Sequence, residues 1–258
     1  MTTTFENPLS SPAAVMNLSN QTWPDSYIVA SIWYQVTCCV IYTVDLTIGL
    51  GAYVVFLSAF YYNYGQLFAQ HPIYIFIQHL ALADMVFFLS YLSVVLPYSA
   101  VSYRFYHPNV EMLLLHLSPL GYYSISMLSF LISLNRCLVF VWPNACDLLF
   151  ERTQTHLWCV AVWLVSIVVN AINYFVFDYT MWYDTTYLYH TYQPRHQQVG
   201  LIDTTLFNIV SIYSPTGLAL LMLLLYAITF THLYLHRQQS IALAANDTQN
   251  AERIRRER

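Results

Sequence analysis

Lysine is absent from this 258-residue chain, and charged residues of all kinds make up only 9% of it. A water-soluble domain of that length needs far more charge on its surface, so an ordinary soluble fold is excluded. Cysteine is sparse as well. Cys38, Cys39, Cys137, Cys146 and Cys159 all fall within apolar runs or on the arginine-rich side of them, which leaves no basis for an extracellular disulfide framework. Residues 1–31 lack a basic stretch followed by a short apolar core, so no cleavable signal peptide is expected and the first apolar run serves as the signal anchor. The catalytic signatures are missing too: no His-Glu-x-x-His helix, no Gly-x-Ser-x-Gly elbow, no glycine-rich phosphate loop. Neither an enzyme nor a nucleic-acid partner is expected.

What the chain does have is apolar length, with a mean hydropathy of +0.48. A helix rises about 1.5 Å per residue and the hydrocarbon core is about 30 Å thick, so a span takes roughly 20 apolar residues. Five stretches qualify, at about 32–61, 72–100, 112–141, 157–177 and 201–233. They are too long and too continuously apolar for barrel strands, so the expected fold is an all-α, polytopic transmembrane helix bundle lodged in a lipid bilayer. Residues 1–31 form an outer tail, and residues 235–258 an Arg-rich inner tail or the start of a further helix. All nine basic residues are Arg. Arg136, Arg152, Arg237, Arg253, Arg255, Arg256 and Arg258 fall on one side, Arg104 and Arg195 on the other, which puts the N-terminus outside and the C-terminus inside. Two adjacent glycosylation sequons, beginning at Asn17 and Asn20, agree with that orientation.

Polar residues recur at helical spacing within the spans. Pro119, Tyr122, Ser126, Ser129, Ser133 and Arg136 form an unbroken stripe on span three, with Leu128, Leu131 and Leu138 away from it. That pattern makes span three central, its serines serving either a site or plain close packing. Span four repeats the pattern with Trp163, Ser166, Asn170 and Asn173, and span five with Thr204, Asn208, Ser211 and Pro215, where the proline is expected to bend the helix. Asp45 and Asp84 lie near mid-membrane, where a charge costs about 2–4 kcal/mol and needs a partner; Asp45 reads as a hydrogen-bonded packing group. Between spans four and five, Tyr179, Trp182, Tyr183, Tyr187, Tyr189, His190, Tyr192 and His196 crowd together. They suit either small-molecule recognition or an interfacial aromatic belt, and the alternation at Tyr187 and Tyr189 predicts a short strand, half of a hairpin over the bundle mouth. Tyr122, Asn170, Tyr187, Tyr189 and Asn208 are the ligand-binding candidates.

Leu80-Ala81-Leu82-Ala83-Asp84, Asn135-Arg136-Cys137, Pro143, Trp163 and Pro215, in that order and at those separations, resemble the rhodopsin-like G-protein-coupled receptors over about residues 32–235. Within that superfamily, Leu134-Asn135-Arg136 with Pro143, Phe150-Glu151-Arg152-Thr153 and Ile228-Thr229-Phe230 look like the nematode serpentine chemoreceptors, class Srx nearest. The resemblance implies five spans of a seven-helix receptor fold, a heterotrimeric G protein as partner, and a small external molecule as ligand at the plasma membrane. It implies that Asn135, Arg136 and Pro143 form the G-protein switch, that Trp163 and Pro215 are structural, and that Asp84 occupies an allosteric sodium position with Ser124 or Ser126 as helpers; no other cofactor is expected. There are departures. Asn135 replaces an acidic residue, Phe56 stands near a first-span asparagine position, Glu111 stands near a disulfide cysteine position, and Leu223 replaces a tyrosine that Tyr226 follows one turn on.

The motifs of a sixth and seventh span are missing before Arg258. The chain therefore reads as an incomplete receptor, with a non-signalling truncated product or decoy as the alternative reading. A transporter is less favoured, because the two halves show no internal repeat. Translated with microsomes, the chain should acquire glycans at Asn17 or Asn20; protease protection of the C-terminal rather than the N-terminal tail would reverse the topology.

Overall fold

A backbone inside hydrocarbon finds no water, so each long apolar run must close its hydrogen bonds within itself as a helix. In the computed structural model five helical spans do so, at Ile32–Tyr62, Ile73–Val101, Pro108–Val141, Arg152–Phe175 and Thr205–Ser240. The structure describes residues 31–63, 72–101, 105–184, 188–194 and 201–256. The sequons at Asn17 and Asn20 and the loop residues Arg104, Tyr187, Arg195 and His196 lie outside them.

Chain order runs α1 (Ile32–Asn63), α2 (Ile73–Ser90), a π turn at Tyr91–Val95, α3 (Leu96–Val101), α4 (Pro108–Leu115), α5 (Leu117–Val141), α6 (Pro143–Leu149) and α7 (Arg152–Phe175). There follow β1 (Tyr179–Asp184), β2 (Tyr189–Pro194), α8 (Leu201–Asn208), a π turn at Ile209–Tyr213 and α9 (Ser214–Arg256). Residues 235–256 thus extend the helix of span five instead of forming a separate element. Span three begins earlier than hydropathy alone suggests, because the His107 side chain accepts a hydrogen bond from the Asn109 N–H and Pro108 occupies the first turn. Span four ends at Phe175, two residues short of its expected end, and Asp178 turns the chain with φ 57 into the hairpin.

The two π turns have one cause. Pro97 and Pro215 lack an N–H, and their rings crowd the carbonyl four residues back, so a tight α-helical turn before either is disfavoured. In both places the chain inserts one wide turn, with Leu96 N–H bonding Tyr91 O and Ser214 N–H bonding Ile209 O.

α5 is central and touches α2, α7 and α9. Its buried face coincides with the expected stripe only in part. Pro119 and Ser133 of the stripe are buried, Ser126 and Ser129 are half-buried, and Tyr122 and Arg136 are exposed, while Gly121, Ser124, Leu128, Asn135 and Leu138 are buried from outside it. The reason is Gly121: a Cβ there would stand 2.8 Å from the Phe87 N and 2.9 Å from the Ala83 O, so this residue, not the serines, marks where α2 and α5 meet. Asp45 departs from expectation as well. It is exposed, because α1 buries only a narrow strip that includes Gln35, Leu46 and Phe60.

Two large apolar clusters fill the bundle, with a third, smaller one at Phe177, Tyr179 and Phe207. The inner one gathers Phe76, Ala83, Leu128, Leu138, Phe150 and Val162. The outer one joins Val94, Val95, Tyr98 and Leu115 to Met181, Tyr183 and Leu188, so the loop before span five is packed into the core rather than laid over it. Replacing Gly121 by Ala should destabilise the purified chain by about 1–3 kcal/mol, because the atoms it meets belong to a neighbouring helix backbone. Gly51→Ala and Gly217→Ala, which meet nothing within 4 Å, should keep or raise the melting temperature.

Candidate functional site

β1 and β2 pair antiparallel in the register Tyr179↔Pro194 to Asp184↔Tyr189. A hairpin buried at a bundle mouth must draw partners for its polar atoms from the surrounding helices, and this one does so at several points along its length. The Tyr42 hydroxyl of α1 donates to the Leu188 carbonyl at 3.0 Å, and the Ser99 and Tyr183 hydroxyls pair at 2.7 Å. Ser118 of α5 meets His190 Nε2 at 2.9 Å, and Thr180 lies 3.5 Å from His116 Nε2. The Tyr98 hydroxyl donates to the buried Glu111 carboxylate at 3.0 Å.

Below the hairpin, the His116 Nδ1 and the Asn170 Oδ1 are 3.0 Å apart while the Asn170 amide donates to the His116 carbonyl at 3.0 Å, tying α7 to the start of α5. Asn173 donates to the Tyr123 hydroxyl at 3.1 Å and accepts from Ser211 at 3.1 Å. That one buried amide joins α5, α7 and the π turn before Pro215. Tyr179 stacks on Phe207 at 3.9 Å with the planes 13° apart, which fixes the hairpin against α8.

Of the ligand-binding candidates, Asn170 enters this network, Tyr122 and Tyr189 are exposed, Asn208 is half-buried at the end of α8, and Tyr187 lies outside the described residues. The sequence reading missed His116 and Tyr123, and named His190 only within the aromatic loop cluster. Their signal was polarity inside or beside apolar runs, and only the fold shows which of them meet. Burial holds the His190 imidazole neutral, lowering it from the usual 6.5 to about 4.

Toward the middle of the bundle the Trp163 indole donates to His79 Nδ1 at 3.2 Å, joining α7 to α2. Asp84 accepts a hydrogen bond from the Tyr53 hydroxyl of α1. The two serines expected beside Asp84 are engaged elsewhere. Ser124 donates to Ser166 of α7 at 3.0 Å, and Ser126 donates to the Tyr122 carbonyl of its own helix at 2.9 Å. With Gly121 seated on α2, Ser124 falls on the side of α7, while Ser126 makes the local bond to the carbonyl four residues back that serines in helices commonly make.

At the end of α5 away from the hairpin Arg136 is exposed in the last turns, and Pro143 opens α6. Asn135 is buried beneath α6, its amide donating to the Cys146 sulfur at 3.5 Å. Burial, together with the neighbouring Asp147, pushes the Cys146 thiol up, so this cysteine packs as a neutral group instead of standing free beside the membrane. The Trp158 indole donates to the Leu149 carbonyl at 3.1 Å and fixes the other end of α6 to α7. The outer network and the exposed arginine therefore sit at opposite ends of one rigid helix.

Residues 48–258 match the family described as Serpentine type 7TM GPCR chemoreceptor Srx. No curated protein matches the sequence. Among 274 solved chains of matching structure, squid rhodopsin superposes with a TM-score of 0.67 at 14% identity, over 93% of this chain. At that identity the likeness speaks for the fold alone, and this chain spans 62% of the squid rhodopsin chain.

The burial of His190 has a pH signature. The folded imidazole takes its proton only near pH 4 and the unfolded one near 6.5, so between those values the unfolded state binds more protons and stability falls as the pH falls. Melting of the detergent-purified chain at about pH 7 and about pH 4.5 should show a loss of about 1–3 kcal/mol from this group. His190→Gln should remove most of that loss; an unchanged pH dependence would mean that the imidazole is solvated.

Proposed function

Because the chain belongs to the serpentine 7TM GPCR chemoreceptor Srx family, we propose that it couples an external small molecule to a heterotrimeric G protein across the plasma membrane, with its N-terminus outside. The family and the fold are those of receptors rather than enzymes. The observation that carries the reading is α5 itself, which runs from the hairpin contacts of Ser118 to the exposed Arg136 without a break between Leu117 and Val141.

In this proposal a ligand acts on the outer hydrogen bonds. Ser118–His190, His116–Asn170 and Asn173–Tyr123 hold α5 to the hairpin and to α7, and a ligand that binds better when one of these is exchanged shifts the population toward a different seat for α5. A rigid helix carries that change to its inner end, where Arg136 faces the cytoplasm and Asn135 anchors α6 through Cys146. The amide at 135 places no carboxylate next to Arg136, so the guanidinium is free of an adjacent ionic restraint and available to a G protein.

Arg136→Ala is the test. In cells expressing the receptor at equal surface levels, stimulated by an agonist from a screen of small organic compounds, the substitution should reduce nucleotide exchange on the G protein by about fivefold or more. Unchanged signalling would remove Arg136 from the switch.

A further inference from the structure

We infer that Asp84 serves as the acceptor of an interhelical clasp with Tyr53, and that this clasp occupies the place where the family resemblance puts a sodium ion. A hard cation is held by several oxygens at once. Among the described residues Asp84 has one hydrogen-bond partner, the Tyr53 hydroxyl, while Ser124 and Ser126 bond Ser166 and the Tyr122 carbonyl and neither is bonded to the carboxyl. One hydroxyl beside one carboxyl does not assemble the shell of oxygens such an ion requires.

The surroundings of the pair favour a clasp. One turn from Asp84 on α2 stands Phe88, and one turn from Tyr53 on α1 stands Gly49; a Cβ on Gly49 would lie 2.8 Å from the Phe88 ring. The absence of that Cβ lets the ring close between the helices, 6.1 Å from the Tyr53 ring at 57°. Phe88 thus sets an apolar ring against Tyr53, the donor of the pair, one helical turn from Asp84. α1 is otherwise thinly attached, burying only Gln35, Leu46 and Phe60 among its described residues, so a polar tie at its middle carries weight in its placement.

Clasp and ion differ in what they ask of Asp84. A hydroxyl donor needs an acceptor oxygen, which a carboxamide also provides, whereas a cation needs the negative charge. The purified full chain would be melted in sodium chloride and in choline chloride at equal ionic strength, as wild type, Asp84→Asn, Asp84→Ala, Tyr53→Phe and the Tyr53→Phe/Asp84→Ala double variant. The clasp predicts equal melting temperatures in the two salts and Asp84→Asn close to wild type. It predicts that Tyr53→Phe and Asp84→Ala each melt about 2–4 °C lower, with the double variant no lower than the worse single one. A sodium-specific rise that Asp84→Asn abolishes would overturn the inference, as would an unaltered Tyr53→Phe. If Asp84→Ala does not fold, the Asp84→Asn and Tyr53→Phe pair decides the matter alone.

Discussion

At Gly121 the backbone of α5 lies against the backbone of α2, and the direction of the polar side chains along both helices follows from that contact. Ala83 and Phe87 are the α2 residues that meet it. Successive residues of a helix turn by about 100°. With 83 and 87 aimed at α5, residues 84 and 88 are carried round toward α1, which is where Asp84 finds Tyr53 and Phe88 finds Gly49. On the other helix the same seat sends Ser124 to α7 and leaves Tyr122 outside the packed core. One missing methyl group thus orients groups on four helices.

The hydrogen bonds that hold the outer end are pairings of hydroxyl, amide and imidazole groups, with Glu111 as the charged-type exception that Tyr98 serves. Each such bond is stronger in an apolar interior than in water, and each is costly to leave unmade. That asymmetry explains why the hairpin is threaded into the bundle through so many contacts: an extended segment can be buried only if the helices around it supply donors and acceptors.

The spans were legible because their signal is length and apolar content, which the bilayer imposes without regard to neighbours. The order of Asp84, Arg136, Trp163 and Pro215 was legible for the same reason: each stands out against a uniform background. Which face of α5 is buried was not. Serine is as compatible with a self-bonded helix surface as with an interface, and Ser126 and Ser133 turn out to donate to carbonyls of their own helix. The hairpin was half-visible: alternation at Tyr187 and Tyr189 suggested a strand, but β1 at Tyr179–Asp184 carries Met181 and Tyr183 into the core, and its burial depends on partners distant in sequence, such as Ser99, 84 residues from Tyr183, and His116, 64 from Thr180. Nor could sequence show that Pro97 and Pro215 would each be answered by a wide turn, since a sharp kink satisfies the same steric demand.

The wide turn before Pro215 sits at the base of the longest helix among the described residues, and that gives it leverage. From Pro215 to Arg256 the chain is one continuous helix of 1.5 Å per residue, roughly 60 Å in all, twice the thickness of the hydrocarbon it crosses. A tilt of only about 5° at its base displaces the far end by about 5 Å, the rise of one full helical turn. Ser211, within that wide turn, is bonded to Asn173. The amide that ties α5 to α7 is therefore also bonded to the turn from which this long helix extends, so the place of its far end is set by a contact near the hairpin.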